Sequence, residues 1–409
     1  MYLKLAARNI FRNYKRTLIT LSAIAVGIMA LIFIDSMLVG IDQDSFEKII
    51  NYETGHIKIF QRGYNEEKDD LPLDIAIEQP DSIIKKLKND PDIEGLTTRI
   101  NFRIMLSDGI DQMPAVAIAV NPADDESVFL LKQAIEKGEY FSSNHDESIL
   151  IGEGLAEDFN LGVGDYLTIL TRTKFETFQA LDLKIKGILR TEDPKIDWAA
   201  VVLPLGLSQG SLDMGKAVTE IDIKLKDATK IKEFRDRMAA DLTGIEIMTW
   251  KDLAEDVIAI SQAKRGGSIF ILTGIVLIAL IGISNTILLS AFERTREIGM
   301  MAAMGMKRRN IIKLFILEGA LIGLGGSILG CLIGIAINFP LVKYGINWGG
   351  MMRDMGDFGY RVTGVSKGVW RPGMILFACI FGFVVSALVS IYPARVASRM
   401  EPTEALKKV

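Results

Sequence analysis

Only two cysteines, Cys331 and Cys379, occur in 409 residues, and both lie inside apolar runs. With no Cys/His spacing of a metal site, the sequence offers neither a disulfide framework nor thiolate ligation. Histidine is as scarce: His56 and His145 are the only two, too few for an imidazole-based catalytic or zinc centre. No catalytic residue and no metal ligand is therefore assigned. A G-x-x-x-x-G-K-[ST] loop is missing too, so the chain carries no phosphate cradle of the usual kind. Gly-Ser linkers, low-complexity tracts and internal repeats are also absent. Apolar residues, by contrast, make up 49% of the chain and mean hydropathy is +0.27, yet 24% of residues are charged. That is too apolar for an ordinary soluble protein and too charged for one buried wholly in lipid, so part of the chain belongs in a membrane and part in water.

Three runs are long enough to span a bilayer: Thr17 to Ile34, Ser268 to Phe292 and Gly373 to Tyr392, of eighteen, twenty-five and twenty residues. A fourth, Ile311 to Phe339, is apolar except for Lys313 and Glu318. No small-x-small cleavage site follows the first run, which reads as an uncleaved anchor. The flanks fix orientation. Residues 1–16 carry Lys4, Arg8, Arg12, Lys15 and Arg16 without an acid; Arg294, Arg296, Lys307, Arg308 and Arg309 cluster between the second and third runs; Arg395, Arg399, Lys407 and Lys408 follow the fourth. The positive-inside rule puts all three on the cytoplasmic side. Residues 42–265 hold 43 acidic and 27 basic residues and must lie outside.

The expected fold class is a membrane α-helical protein of four transmembrane helices, with an extracytoplasmic α+β domain of two subdomains inserted between the first and second. The division is 1–41 for the N-terminus and first span, 42–265 for the outer domain with its stalk helices, 266–292 for the second span and 293–310 for a cytoplasmic segment. Then come 311–339 for the third span, 340–372 for an outer loop, 373–393 for the fourth span and 394–409 for a tail. In the outer domain PDSIIKKLKND and DATKIKEFRDRMAADL read as helices, the second capped by Asp227. RINFRIML and MPAVAIAV read as strands joined by an Asp-Gly turn, with VGDYLTIL, LDLKIKGIL, WAAVVLPL, EIDIKLKD and GIEIMTW as further strands. Segments at 80–121 and 220–250 flank a more β-rich middle, roughly 140–205, expected as an insertion.

No proline interrupts 251–292, so a continuous helix there would be on the order of 60 Å long, about twice the hydrocarbon thickness. Half of it would stand outside as a stalk, unless Gly266-Gly267 kinks it. In the third span Gly319, Gly323, Gly326, Gly330 and Gly334 share one helical face, and in the fourth Ala378, Gly382, Ser386 and Ser390 recur every four residues. Such faces allow close helix packing in lipid, either as a fixed seam or as a mobile one. Glu318 sits near enough to the inner boundary to snorkel or meet a headgroup-level base, and Asn285 is a mid-span amide able to bond across helices.

The segment between the second and third spans, FERTREIGMMAAMGMKRRN, reads as a short helix from Glu293 to Met304 ended by Gly305. Ile298 and Met301 take one side, Met300, Met304 and Arg296 another, and methionine suits a groove that changes shape. Gly299 is costly in an exposed helix and asks for a close partner. The segment reads as a peg for a cytoplasmic protein or as a helix resting on the inner leaflet.

ERTREIGMMAAMGMKRRNIIKLFILEGALIGLGGSILG resembles the FtsX-like permease domain, YPARVASRMEPTEALK resembles that family's ending, and LAARNIFRNYKRTLITLSAIAVGI its opening. ILIGEGLAEDFNLGVGDYLTI is similar to a segment of the outer domain of macrolide-exporter and lipoprotein-releasing permeases. The resemblance spans nearly the whole chain and implies an ABC transporter permease, itself non-catalytic, in the cytoplasmic (inner) membrane of a bacterium. It implies a separate ABC ATPase holding the ATP and magnesium, no cofactor on this chain, a second permease as homodimer or related heterodimer, contact with the lipid bilayer, a periplasmic chaperone or adaptor, and no nucleic acid. Its coupling helix would be Glu293, Arg294, Arg296, Glu297, Ile298, Gly299, Met300, Met301, Met304 and Gly305, transmitting ATPase closure to the outer domain (mechanotransmission). The full outer domain and TGHIKIF resemble lipoprotein-releasing permeases, whereas the Gly- and aromatic-rich loop PLVKYGINWGGMMRDMGDFGYRVTGVSKGVWRP departs from them. Three functions stay open: release of lipoproteins or other lipid-linked substrates through a cleft lined by Met29, Phe33, Met37 and Ile269; efflux of macrolides or peptides; and a scaffold that activates a cell-wall hydrolase.

Overall fold

The computed structural model describes residues 2–12, 14–242, 244–293, 295–347 and 365–398. These fall into two compact units, one containing residues 43–260 and the other the four long apolar helices. Helix α1 (Tyr2–Arg12) precedes α2 (Tyr14–Lys48), the first span. Helix α2 runs well beyond the apolar run, to Lys48, and ends in a π-turn, Ile49–Thr54, closed by Gly55 at φ +59°.

The outer unit runs β1 (Ile57–Gln61), α3 (Pro80–Leu87), β2 (Ile93–Ser107), β3 (Gln112–Val120), α4 (Pro122–Asp125), β4 (Ile135–Gly138) and β5 (Ser148–Gly152). It continues with α5 (Glu153–Asp158), β6 (Tyr166–Arg172), β7 (Phe178–Leu189), α6 (Pro194–Asp197), β8 (Ala200–Pro204) and α7 (Leu205–Ser211), then β9 (Glu220–Leu225), α8 (Ile231–Asp241), β10 (Ile245–Thr249) and α9 (Trp250–Leu253). Four strands in the order β10-β1-β9-β2, with α3 and α8 as the crossovers, form a split βαβ sandwich of the ferredoxin-like kind. Alternation places Ile57, Ile59, Ile221 and Ile223 on the face that Leu87 and Phe234 of the two helices cover.

The remaining strands close on themselves. The ring β2-β3-β8-β5-β7-β6 returns to β2, giving a six-stranded barrel with parallel pairs β3/β8 and β5/β7. Closure removes free edges, and the interior is filled by Ile104, Leu106, Leu167, Ile169, Ile185, Val201 and the small Ala115, Ala117 and Ala119 of β3. The insertion expected in the middle of the domain is thus a barrel, but it begins at β3 rather than near residue 140. The reason is β2. Its fifteen residues extend about 50 Å at the standard rise, enough for Ile93 to Arg99 to pair with β9 while Met105 to Ser107 pair with β6.

The long helix expected from 251 is broken once. Thr249 caps α9 in a box with Asp252, Ala254 leaves the helix, and α10 (Glu255–Glu293) starts afresh. From there it is unbroken through Gly266-Gly267, about 58 Å at 1.5 Å per residue. Helix α11 (Thr295–Ala303) follows, then α12 (Arg308–Tyr344), the third span, which tolerates Pro340 near its end. The fourth span is Pro372–Val389, and a terminal helix, Ile391–Ser398, comes after it. The bulk of the outer loop and the tail, residues 348–364 and 399–409, lie outside the described residues.

Candidate functional site

The segment between the second and third spans is two helices rather than one. Glu293 is the last residue of α10, and α11 is a separate nine-residue helix. Gly305, at φ +89°, ends it in a conformation that suits glycine. Arg294, the residue between, lies outside the described residues, and Met301 falls within α11. Ile298 is only 3% exposed and joins Ala291, Ile311, Phe315 and Ala394 in the bundle core. Gly299 is buried by the chain itself, so its lack of a side chain answers to internal packing. Arg296, Met300 and Met304 face out, Met304 with 80% of its surface free.

Both acids of the segment are held by the chain's own N-terminus. Arg16 donates two hydrogen bonds to Glu293, at 2.9 and 2.6 Å, and Arg12 pairs with Glu297 at 2.9 Å. These pairs are solvent-exposed, so each stabilises by no more than about 1 kcal/mol; they tie Glu293 at the end of α10 to α2 and Glu297 of α11 to α1. Arg296, Met300, Met304, Lys307, Arg308 and Arg309 remain exposed.

Behind the segment the helices pack through glycine. The five-glycine face of α12 serves two neighbours in turn. A Cβ at Gly319 or Gly323 would collide with Ser390 or Ser386 at the C-terminal end of the fourth span, whereas at Gly326, Gly330 and Gly334 it would meet Ile24, Ala25, Ile28 and Ile32 of α2. Gly382 in turn lies against Ser327, and Ala378 is fully buried. Glu318 does not snorkel. It is 5% exposed, accepts a hydrogen bond from Asn9 of α1 at 2.5 Å, and lines a cavity of about 20 Å³ with Arg16, Thr17, Thr286 and Ser290. That cavity has room for about one water. Asn285 points outward and is exposed.

Of the residues read as a substrate cleft, Met29, Phe33 and Met37 are half-buried on α2, while Ile269 of α10 is 65% exposed. The first and second spans meet at Thr20 and Thr286, whose hydroxyls are 2.7 Å apart, at Gly27 and Ile275, and at Asp42, which accepts from Arg265 at 3.1 Å. Among the described residues no group of three His, Cys, Asp or Glu is arranged to hold a metal.

One feature of the outer unit escaped sequence reasoning. Lys58 of β1, Arg99 of β2, Glu220 and Asp222 of β9 and Asp125 of α4 form a buried ionic cluster, each no more than 5% exposed. Lys58 donates to Glu220 at 2.5 Å and sits 3.2 Å from Asp222; Arg99 holds Asp125 and lies over the Phe129 ring. Burial, and Glu220 beside it, push the Asp222 carboxyl far above its ordinary range. His56 is structural as well: its Nδ1 accepts from the Leu225 amide at 3.0 Å, and burial lowers its pKa.

Comparison with known families now decides the class. Residues 17–241 match the MacB-like periplasmic core domain, and residues 269–402 match the FtsX-like permease C-terminal domain. The chain belongs to the FtsX/MacB superfamily of ABC transporter permeases. It is a multi-pass inner-membrane permease with an extracytoplasmic α+β domain. Similar proteins include the lipoprotein-releasing system transmembrane protein LolE of Haemophilus influenzae, 22% identical over 332 residues and 79% of each chain. An ABC transporter permease of Bacillus subtilis, YvrN, is 24% identical over 440 aligned positions and 99% of each chain. The macrolide export ATP-binding/permease protein MacB of Brucella abortus is 27% identical over 252 residues, 60% of this permease but 35% of that protein. Membership implies a partner ABC ATPase and a permease dimer in the membrane.

Proposed function

We propose that this permease works by mechanotransmission in a lipoprotein-releasing type of ABC transporter, with α11 as its coupling helix. The observation that carries the coupling role is the division of α11 into a buried root at Ile298 and Gly299 and an exposed face at Arg296, Met300 and Met304. A rooted helix transmits a push to the span it precedes, and exposed methionines fit a groove that reshapes as nucleotide binds. The unbroken α10 supplies a rod from that point towards the outer domain. A lipid-linked substrate is favoured by the alignment with LolE, which runs over the same large share of both chains, whereas the macrolide exporter is matched over about a third of its length. Met29, Phe33, Met37 and Ile269 would then face acyl chains, and a periplasmic chaperone or adaptor would receive the cargo.

The test is a mild-detergent pull-down from native membranes, with mass spectrometry of proteins and lipids, on wild type and Met304→Asp. A charge at an 80% exposed position leaves the fold intact but cannot be buried in an apolar groove without a large desolvation penalty. Wild type should bring down an ABC ATPase and acylated proteins, and the variant should lose the ATPase by tenfold or more, on the order of one buried methionine. Full ATPase recovery with Met304→Asp would refute the coupling role. An adaptor or a cell-wall hydrolase in place of acylated proteins would move the substrate to efflux or to signalling.

A further inference from the structure

The path of paired strands through the outer unit has two ends, β4 and β10, and only one of them is blunted. Strand β4 is four residues long, carries exposed Glu136 and Lys137, and shifts register at a bulge against β7. Short length, charge and a bulge are the usual defences of a sheet edge. Strand β10, Ile-Glu-Ile-Met-Thr, has no lysine, proline or bulge and pairs in unbroken register with β1. Parity assigns its hydrogen bonds. The Gly244 carbonyl accepts from the Arg62 amide and the Trp250 amide donates to the His56 carbonyl, so even positions of β10 bond to β1 and odd positions turn away. Of the odd ones, the Thr249 amide donates to Asp252. The backbone N–H and C=O groups of Ile245 and Ile247 have no partner among the described residues, and neither residue is fully buried.

The surroundings of this edge select what can pair with it. Ile245 and Ile247 pack on the domain core, over which α8 lies, so alternation sends Glu246 and Met248 to the opposite face. Residues 241–256 hold five acids, Asp241, Glu246, Asp252, Glu255 and Asp256, against one base, Lys251. We infer that β10 is a docking edge for an extended segment of another protein outside the cytoplasm, a strand of alternating apolar and basic residues. Its apolar side chains would lie beside Ile245 and Ile247 and its bases beside Glu246, while the unpaired backbone groups of β10 supply the main-chain bonds. Charge decides against a second copy of this chain, which would bring the same acidic segment to the same acidic edge. The assignment is independent of which substrate the permease moves.

The test uses the full-length permease in detergent and two capped peptides, one of Val-Lys repeats and one of Val-Glu repeats, with hydrogen exchange read at single amides. At ten times its Kd the Val-Lys peptide should slow exchange at Ile245 and Ile247 about tenfold and leave Glu246 and Met248, already bonded to β1, unchanged. The Val-Glu peptide should protect neither at the same concentration. N-methylation of the valines removes the N–H groups that face the edge and should abolish protection, whereas N-methylation of the lysines should not. Glu246→Lys, which leaves the ladder with β1 intact, should weaken binding of the Val-Lys peptide about fivefold or more. Equal protection by both peptides, or by neither, would overturn the inference. So would protection of Ile245 and Ile247 before any peptide is added, or protection that rises with permease concentration alone, since the chain itself or a second copy would then occupy the edge.

Discussion

Gly330→Ala adds one methyl group where the third span crosses the first, and its cost can be worked out from the local geometry. The new Cβ would sit 2.7 Å from the carbonyl oxygen of Ala25, 2.8 Å from Ile28 Cβ and 3.0 Å from Ala25 Cα. Two of those three atoms belong to backbone or its Cα, so no rotamer change relieves the contact; the helices must move apart. Overpacking costs about 1–3 kcal/mol, and with backbone atoms as the obstacle this site falls in the upper half of that range, about 2–3 kcal/mol, offset by about 1 kcal/mol of better helix propensity. The net loss of about 1–2 kcal/mol corresponds to roughly a 5- to 30-fold rise in transient opening of the bundle. Gly274→Ala on the second span is the control, because a Cβ there meets nothing within 4 Å. The chain carries its own reporter: Cys331, next to the substituted position, is 8% exposed. Its thiol faces Ile375 of the fourth span, so with Cys379 replaced by alanine the rate at which a maleimide dye labels Cys331 in detergent reads loosening of the bundle around the third span. Gly330→Ala should label 5- to 30-fold faster than wild type and Gly274→Ala no faster. Equal rates for the two variants would show that the glycine face is not a close-packed seam, and the reasoning from Cβ contacts would fail.

Two further outcomes follow from groups in unusual surroundings. Asp222 has a folded-state pKa raised by burial above its unfolded value, so its contribution to stability is fully present at acid pH, falls as pH rises above the ordinary carboxylate range, and levels off once the folded group has ionised. Asp222→Asn should therefore melt like wild type near pH 4 and above it near pH 9 in thermal scans of the whole permease; a variant equally destabilised at both would show that Asp222 is ionised throughout. Asn285, exposed in mid-span on a row with Ile278, Ile281 and Leu289, needs a hydrogen-bond partner in lipid, and in a permease dimer its own copy can supply one. Asn285→Leu should weaken that dimer by about 0.6–2 kcal/mol, roughly 3- to 30-fold, by energy transfer between labelled copies in vesicles; an unchanged dimer would place this row against lipid.

The four spans were legible because eighteen uncharged residues leave few alternatives, and the strands of the outer domain because Ile and Val alternate so regularly. What alternation could not tell was which polar faces stay wet. In EIDIKLKD the residues Glu220, Asp222 and Lys224 look like a solvated face opposite Ile221 and Ile223, and Lys58 in HIKIF looks the same. Yet Lys58, Glu220 and Asp222 are all buried, because Phe60, Tyr64 and Phe129 lie on that side of the sheet. Phe129 is distant in sequence from all three, and Phe60 and Tyr64 are distant from Glu220 and Asp222, so the pattern of β9 alone does not announce them. Strand β2 misled for a related reason: its length was readable, but its membership in two sheets depends on partners more than sixty residues away. At the cytoplasmic end the signal was present and unused. Leu3, Ala7 and Phe11 beside Lys4, Arg8 and Arg12 form an amphipathic pattern, hidden when the same bases are counted only as a topology marker.

The packing of the four spans is uneven, and this bears on how such a permease could move. Within the most apolar stretch of each helix, 44% of the third span and 39% of the first are buried, against 6% of the second. The third span is clamped to the first and fourth by backbone-close glycine contacts, which resist sliding because interiors of this kind are dense and switch between discrete packings instead of deforming smoothly. The second span touches the first at a few polar or small positions, Thr20 with Thr286, Gly27 with Ile275 and Asp42 with Arg265, and such contacts can be remade at modest cost. Gly266 and Gly267 sharpen the contrast. Neither has a positive φ, and a Cβ at either would meet nothing within 4 Å, so neither backbone strain nor close packing calls for glycine there. Each nevertheless weakens an exposed helix by about 1 kcal/mol relative to alanine. The inner half of that helix is anchored in the bundle core by Ile283, Ile287 and Ala291, so a helix softened at Gly266-Gly267 and loosely held over its outer half can bend there where the clamped helices cannot.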